Sequence, residues 1–191
     1  MENGGSMHLY FYSRLGGGAF SNLGVGENVY AFMVDPYGNV VMKREVAECG
    51  SMCEKWYMFD KLHRYNGPAM IWYNKDGNLT YMEWFKRGRT HRLGGPAVVI
   101  YDNNGNLKRE VWYNEGMRHK EDGPASVKYH NNGRVKRRDW YTGGDLHNES
   151  GPAKIWYNKE DGSVIKSEWW LYGVNCSYEN YSMWMQIPSY T

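Results

Sequence analysis

From residue 69 onward, apolar and polar positions alternate with period two in short runs, and the runs return every 28 residues. Ala69-Met-Ile-Trp-Tyr73 and Ala97-Val-Val-Ile-Tyr101 have the length and side-chain types of strands. Each ends at a signal for a two-residue turn, Asp76-Gly77 or Asn104-Gly105, repeated at Asn132-Gly133 and Asp161-Gly162. The returning strands, such as Asn106 to Tyr113, run on to Gly88, Gly116, Gly144 and Gly173, where a second turn begins. The pattern therefore predicts one β-hairpin per repeat.

The same alternation sorts the two faces. Ala69, Ile71 and Tyr73, with their counterparts Ala97, Val99, Tyr101, Ala125, Val127, Tyr129, Ala153, Ile155 and Tyr157, stay apolar and are assigned to the core. The intervening positions change chemistry from unit to unit: Met70 and Trp72, Val98 and Ile100, Ser126 and Lys128, Lys154 and Trp156. A face held constant serves packing, and a face that varies is free to meet a partner. On the returning strand Leu79, Leu107, Val135 and Val164 have opposite parity to the repeating Trp; a bulge before the Trp would bring both to the core side, at a place the sequence does not fix.

Landmarks recur at the same period. Gly67-Pro68-Ala69 returns at Gly95, Gly123 and Gly151, with His63, His91, His119 and His147 four positions earlier. Pro lacks an N–H and suits the first residue of a strand, which fixes where each hairpin starts. Trp56, Trp84, Trp112, Trp140 and Trp169 keep the beat, the last one residue late, because Tyr73-Asn-Lys-Asp-Gly77 lengthens to Tyr157-Asn-Lys-Glu-Asp-Gly162 at a turn. A strict repeat of this size implies a stack of units that bury one another.

The flanks differ. Residues 1–55 form an irregular segment with strand-like stretches at His8 to Tyr12, Val29 to Val34 and Val40 to Val46, and a loop at Gly16-Gly17-Gly18. Asp35 to Val46 echoes Asp102 to Val111 and reads as a degenerate capping repeat. Residues 56–173 hold four hairpin repeats. In 174–191, Tyr181, Trp184 and Met185 fall at helical spacing behind Ser177, and Pro188 ends a short capping helix. The fold class expected is all-β: an elongated, single-layer stack of antiparallel hairpins.

The skeleton Tyr-x-x-x-Gly, a strand ending in Trp-Tyr or Trp-Phe, x-x-Gly-x-x-His and Gly-Pro-Ala resembles the MORN-type repeat, in its bacterial and viral variant, over Trp56 to Gly173. The resemblance implies a single-layer hairpin stack acting as a scaffold or binding module. This chain has a longer unit, with an insertion seen at His91-Arg-Leu-Gly94, and lacks the Gly-x-Gly step, so the family's lipid-headgroup role is not carried over. Units with His-Arg-x-x-Gly-Pro-Ala look like those of phage and large-virus proteins, which implies a viral origin.

Composition narrows the chemistry. Seventeen Tyr and nine Trp against five Phe favour half-buried strands or binding surfaces over pure core. A net charge of +2 supplies no bulk attraction to nucleic acid or membrane. Cys49, Cys53 and Cys176 form no CxxC pair and are expected as reduced thiols. No apolar run has the length of a membrane span, so a cytoplasmic protein without membrane insertion is expected, in the host cell's cytoplasm if it is viral.

The in-phase histidines invite a metal site, but units contributing two strands each place equivalent residues about 9–10 Å apart, too far for one zinc. Each His is instead expected to bond a backbone group at the turn before Gly-Pro-Ala. Every prominent residue occurs four times, whereas a catalytic constellation is unique, so no catalytic residue, metal or cofactor is assigned. The reading is a non-enzymatic scaffold binding another protein through Met70, Trp72, Val98, Ile100, Lys128, Lys154 and Trp156, in the manner of a phage-encoded inhibitor or adaptor. The alternative is a nucleic-acid or nucleotide-binding module in which Arg134, Lys136, Arg137 and Arg138 form a positive stripe beside aromatic groups.

Overall fold

A computed structural model describes residues 8–13, 29–34 and 40–186. These divide into two compact units, one within residues 1–90 and 101–105, the other within 91–100 and 106–191. The first unit contains β1 (His8–Ser13), β2 (Val29–Val34), β3 (Val40–Val46), β4 (Met52–Met58), β5 (Lys61–Leu62), β6 (Met70–Tyr73), β7 (Leu79–Glu83), β8 (Phe85–Lys86) and β9 (Arg89–Thr90). In the second lie β10 (Val98–Tyr101), β11 (Leu107–Val111), β12 (Tyr113–Asn114), β13 (Met117–Arg118), β14 (Ser126–Tyr129), β15 (Val135–Asp139), β16 (Tyr141–Thr142), β17 (Asp145–Leu146), β18 (Lys154–Tyr157), β19 (Val164–Leu171), β20 (Val174–Cys176) and α1 (Tyr178–Gln186); Tyr101 itself belongs to the first unit.

Within the first unit the antiparallel order is β1, β2, β3, β4, β6, β7. In the second it is β10, β11, β14, β15, β18, β19, β20. The all-β hairpin architecture expected from the sequence is present. Val40 to Val46 does more than close a capping hairpin with β2, because it also pairs with β4 through the turn at Ala47 to Ser51. The division between residues 55 and 56 thus falls inside a strand. The Gly16 to Gly18 loop lies outside the described residues.

The constant positions form the core. Ala69, Ala97, Ala125 and Ala153 are wholly inaccessible, and Ile71, Val99 and Val127 are buried, while the Tyr of each strand is half-buried. The bulge is present. Tyr73 faces Leu79 while Trp72 faces Tyr81, leaving Thr80 unopposed, and the register slips in the same way at Lys128/Tyr129 and Trp156/Tyr157. That one extra residue puts Leu79 and Met82 on the Ile71 side, and Trp84 with them.

The turn at Asp76-Gly77 is not the two-residue turn that the sequence predicts. At Asp76-Gly77 the loop closes with Gly77 N–H on the Asn74 carbonyl at 3.0 Å and Asn74 N–H on the Asn78 carbonyl at 2.9 Å, three residues between the ends. Gly77 takes φ 81° there, and the Asn74 side chain caps Asp76 and Asn78. In the last repeat Gly162 reaches Asn158, one position further back, which is the inserted residue accommodated. The two-residue turns are at the other end of each hairpin, at Arg87-Gly88, Glu115-Gly116, Gly143-Gly144 and Tyr172-Gly173. Both residues of each have positive φ.

Those left-handed pairs are held by the repeat before them. His63 Nδ1 accepts the Arg87 N–H, His91 Nδ1 that of Glu115 and His147 Nδ1 that of Tyr172, each at 3.2 Å. The neighbouring Gly88, Gly144 and Gly173 N–H groups bond the carbonyls of Leu62, Arg118 and Leu146. The histidines do bond backbone, but at the following repeat's turn and not at their own. Their own turns are tied by the next residue: Arg64, Arg92 and Asn148 donate to the carbonyls of Pro68, Pro96 and Pro152. Arg64 also covers the Trp56 ring at 3.9 Å.

At the C-terminus Ser177 caps α1, its hydroxyl accepting the Asn180 N–H at 3.2 Å. Tyr181 is buried, whereas Trp184 and Met185 are exposed. Among the described residues no helix is long and apolar enough to cross a membrane.

Candidate interaction surface

Directly opposed residues of an antiparallel pair share a face. In the second unit this aligns Arg109, Lys128, Arg137, Trp156 and Lys166 across β11, β14, β15, β18 and β19. The row beside it is Val111, Ser126, Asp139, Lys154 and Glu168. Three cations standing abreast repel one another, and burial, then Arg137 and Arg109, push the Lys128 ammonium below its usual pKa. Burial, then Arg118, does the same to Arg109. Trp156 lies between Arg137 at 5.5 Å and Lys166 at 4.7 Å from its ring.

Two carboxylates offset this row: Glu168, 2.6 Å from Lys166, and the fully buried Asp139. Asp139 accepts from Arg137 Nη2 at 2.7 Å, and its second oxygen lies 2.7 Å from Arg137 Nε as an ionic contact without hydrogen-bond alignment. Arg109 Nε donates to Ser126 at 3.2 Å, so the small residue opposite Asp139 is also engaged. Lys154 faces Glu168 at 3.8 Å and stands over the Trp170 ring.

Around Trp72 the alternating face of the first unit carries no charged cleft-lining residue, where the same position of the second is basic. Met70, Trp72, Thr80 and Tyr81 line a shallow cleft of about 440 Å³, with Trp72 38% exposed. Cys53 lies opposite Trp72 and is buried, which pushes its thiol up to about 11. The corresponding strand position in the second unit has a cleft of about 370 Å³ lined by Lys108, Lys128, Tyr129, His130, Asn131, Lys136 and Lys159.

The basic run does not make one stripe. Arg134 sits at the turn, Lys136 at the bulge, and Arg137 on the alternating face. Arg138 pairs with Val127 and Ile155 on the constant face, where it donates to the Tyr157 hydroxyl at 3.3 Å. Alternation along a strand sends consecutive arginines to opposite sides. Of the other residues singled out by sequence, Val98 is buried and Ile100 and Met70 are half-buried. The sequence pattern did not single out Lys159, Lys166 or His130, which join this surface only through the pairing of separate hairpins.

No thiol is paired: Cys49, Cys53 and Cys176 are all free. Cys49 is exposed, and its Sγ lies 3.0 Å from the Ser51 hydroxyl, a contact that lowers its pKa. Among the described residues no three His, Cys, Asp or Glu side chains gather as metal ligands. No protein-family model matches the sequence, and no curated protein matches it.

Proposed function

We propose that this chain is a non-enzymatic repeat module that binds another protein through the alternating face of its hairpins. The observation that carries the reading is the same strand position holding Trp72 in an open apolar cleft in one unit and Trp156 between two cations in the other. Amphipathic aromatics of this kind anchor interfaces. The partner is one with apolar side chains for the first unit and carboxylates for the second. The resemblance to MORN-type repeats, and the commitment of the repeated His, Trp and Ala residues to packing and backbone bonds, support a binding module over an enzyme. Three free thiols favour a reducing compartment such as the cytoplasm.

Affinity capture from lysate of the source cells, comparing the natural chain with a Trp72→Ala/Trp156→Ala variant of matched thermal stability, tests this. Loss of the captured partner in the variant is expected. Undiminished capture by the folded variant removes these two residues, and the reading with them.

A further inference from the structure

We infer that the lysine-lined cleft of the second unit binds a polyphosphate group, one carrying at least two linked phosphates. Lys108 comes from β11, Lys128 and Lys136 from β14 and the bulge of β15, and Lys159 from the turn after β18, so three successive hairpins aim cations at one concavity. No carboxylate is among its lining residues. Lys159 Nζ stands 3.9 Å from Glu160, a highly exposed group whose attraction water screens. Asp139, the one acid in the adjacent row of β15, is taken up by Arg137.

Such crowding is not a requirement of the fold. The residues two repeats before Lys128 and Lys136 are Trp72 and Thr80, and they line the first unit's apolar cleft. The lysines therefore answer to something other than hairpin packing. Behind the cleft Arg109 and Arg137 flank Lys128, so it already sits in a positive field that an anion would relieve. Its rim is fixed: Lys108 donates to the Asn131 side chain, His130 Nε2 to the Tyr157 carbonyl at 3.2 Å, and Asn132 to the Lys159 carbonyl at 2.9 Å. Ammonium groups act on phosphate as point charges, and several around one concavity suit a compact polyanion better than an extended strand.

Calorimetric titration of the full chain with sodium pyrophosphate, at ionic strength held constant with sodium chloride, tests the inference. Saturable one-to-one binding is expected, weakened about tenfold by Lys136→Met and by Lys108→Met, each removing one charge-assisted contact. Lys61→Met, on β5 of the other unit, leaves it unchanged. Parallel titrations with tripolyphosphate and adenosine triphosphate separate the sources: equal affinity indicates the phosphate chain alone, tighter nucleotide binding a nucleotide. Heats no larger than those of chloride, or binding indifferent to both cleft variants, overturn the site. Trp72→Ala/Trp156→Ala keeps pyrophosphate binding, so this inference and the protein-partner reading fail separately.

Discussion

His91 Nδ1 accepts the backbone N–H of Glu115 at 3.2 Å, across a separation of 24 residues. Glu115 has φ 46°, a conformation that non-glycine residues avoid. The histidine thus satisfies one of the amides that a two-residue turn in the next repeat turns away from its own strands. This arrangement explains why His recurs with the same period as the turn, and it leaves the imidazole no freedom to serve as a metal ligand through Nδ1.

His91→Ala removes this acceptor and strands a peptide N–H, at a cost of about 1–3 kcal/mol beyond the loss of packing. His119 supplies the contrast, since its Nδ1 has no hydrogen-bond partner. Urea unfolding of the two alanine variants should show His91→Ala to be the more destabilised by about 1–2 kcal/mol. Equal losses would show that the bond contributes nothing.

The clasp also requires a neutral ring. At His63, burial, then Arg87 and Lys86, hold the imidazole below its ordinary value of 6.5. A folded-state value depressed below the unfolded one gives stability that is present above the unfolded value and lost as pH falls through the folded one. Urea midpoints should fall between about pH 7.5 and about pH 5. His63→Leu should flatten that fall, and an unchanged pH profile in this variant would count against the clasp.

Arg87 carries the strain of a left-handed conformation at φ 50° while its N–H is held by His63. Asn tolerates this region, so Arg87→Asn keeps the amide bond, relieves the backbone and is expected to stabilise by about 0.5–1 kcal/mol. Calorimetric melting checks it; a lowered midpoint would mean that the arginine side chain matters more than its backbone.

Asp139 is wholly inaccessible and paired with Arg137, so Asp139→Asn should cost about 2–4 kcal/mol by leaving a cation without its partner. One repeat earlier the same place is taken by Val111, also buried. Arg137→Met/Asp139→Val should therefore recover most of the loss in a chemical-denaturation cycle. A single variant as stable as the natural chain would show the pair to be dispensable.

The hairpins and the core face were legible in the sequence because each depends on local alternation, and the parity of Leu79 against Trp84 pointed to a one-residue slip without fixing where it falls. The inserted residue before Gly162 and the Ser177 cap were legible for the same reason. Turn type was not. Asp76-Gly77 carries the stronger two-residue signal, yet Asn74 draws the loop into a three-residue form through its own side chain. Arg87-Gly88 makes the tight turn because a histidine 24 residues earlier supports it. The division of Arg137 and Arg138 between faces required the bulge to be placed, and the lysine cleft required the pairing of three hairpins.

Central to the fold is that His63, His91 and His147 each fasten a turn of the following repeat. Nitrogen–nitrogen couplings across hydrogen bonds, measured by NMR on uniformly labelled protein, test the fastening directly. Couplings are expected from the Arg87, Glu115 and Tyr172 amides to Nδ1 of His63, His91 and His147, with none to His119. Protonated Nδ1 atoms at neutral pH, or amides that show no such coupling, would contradict it.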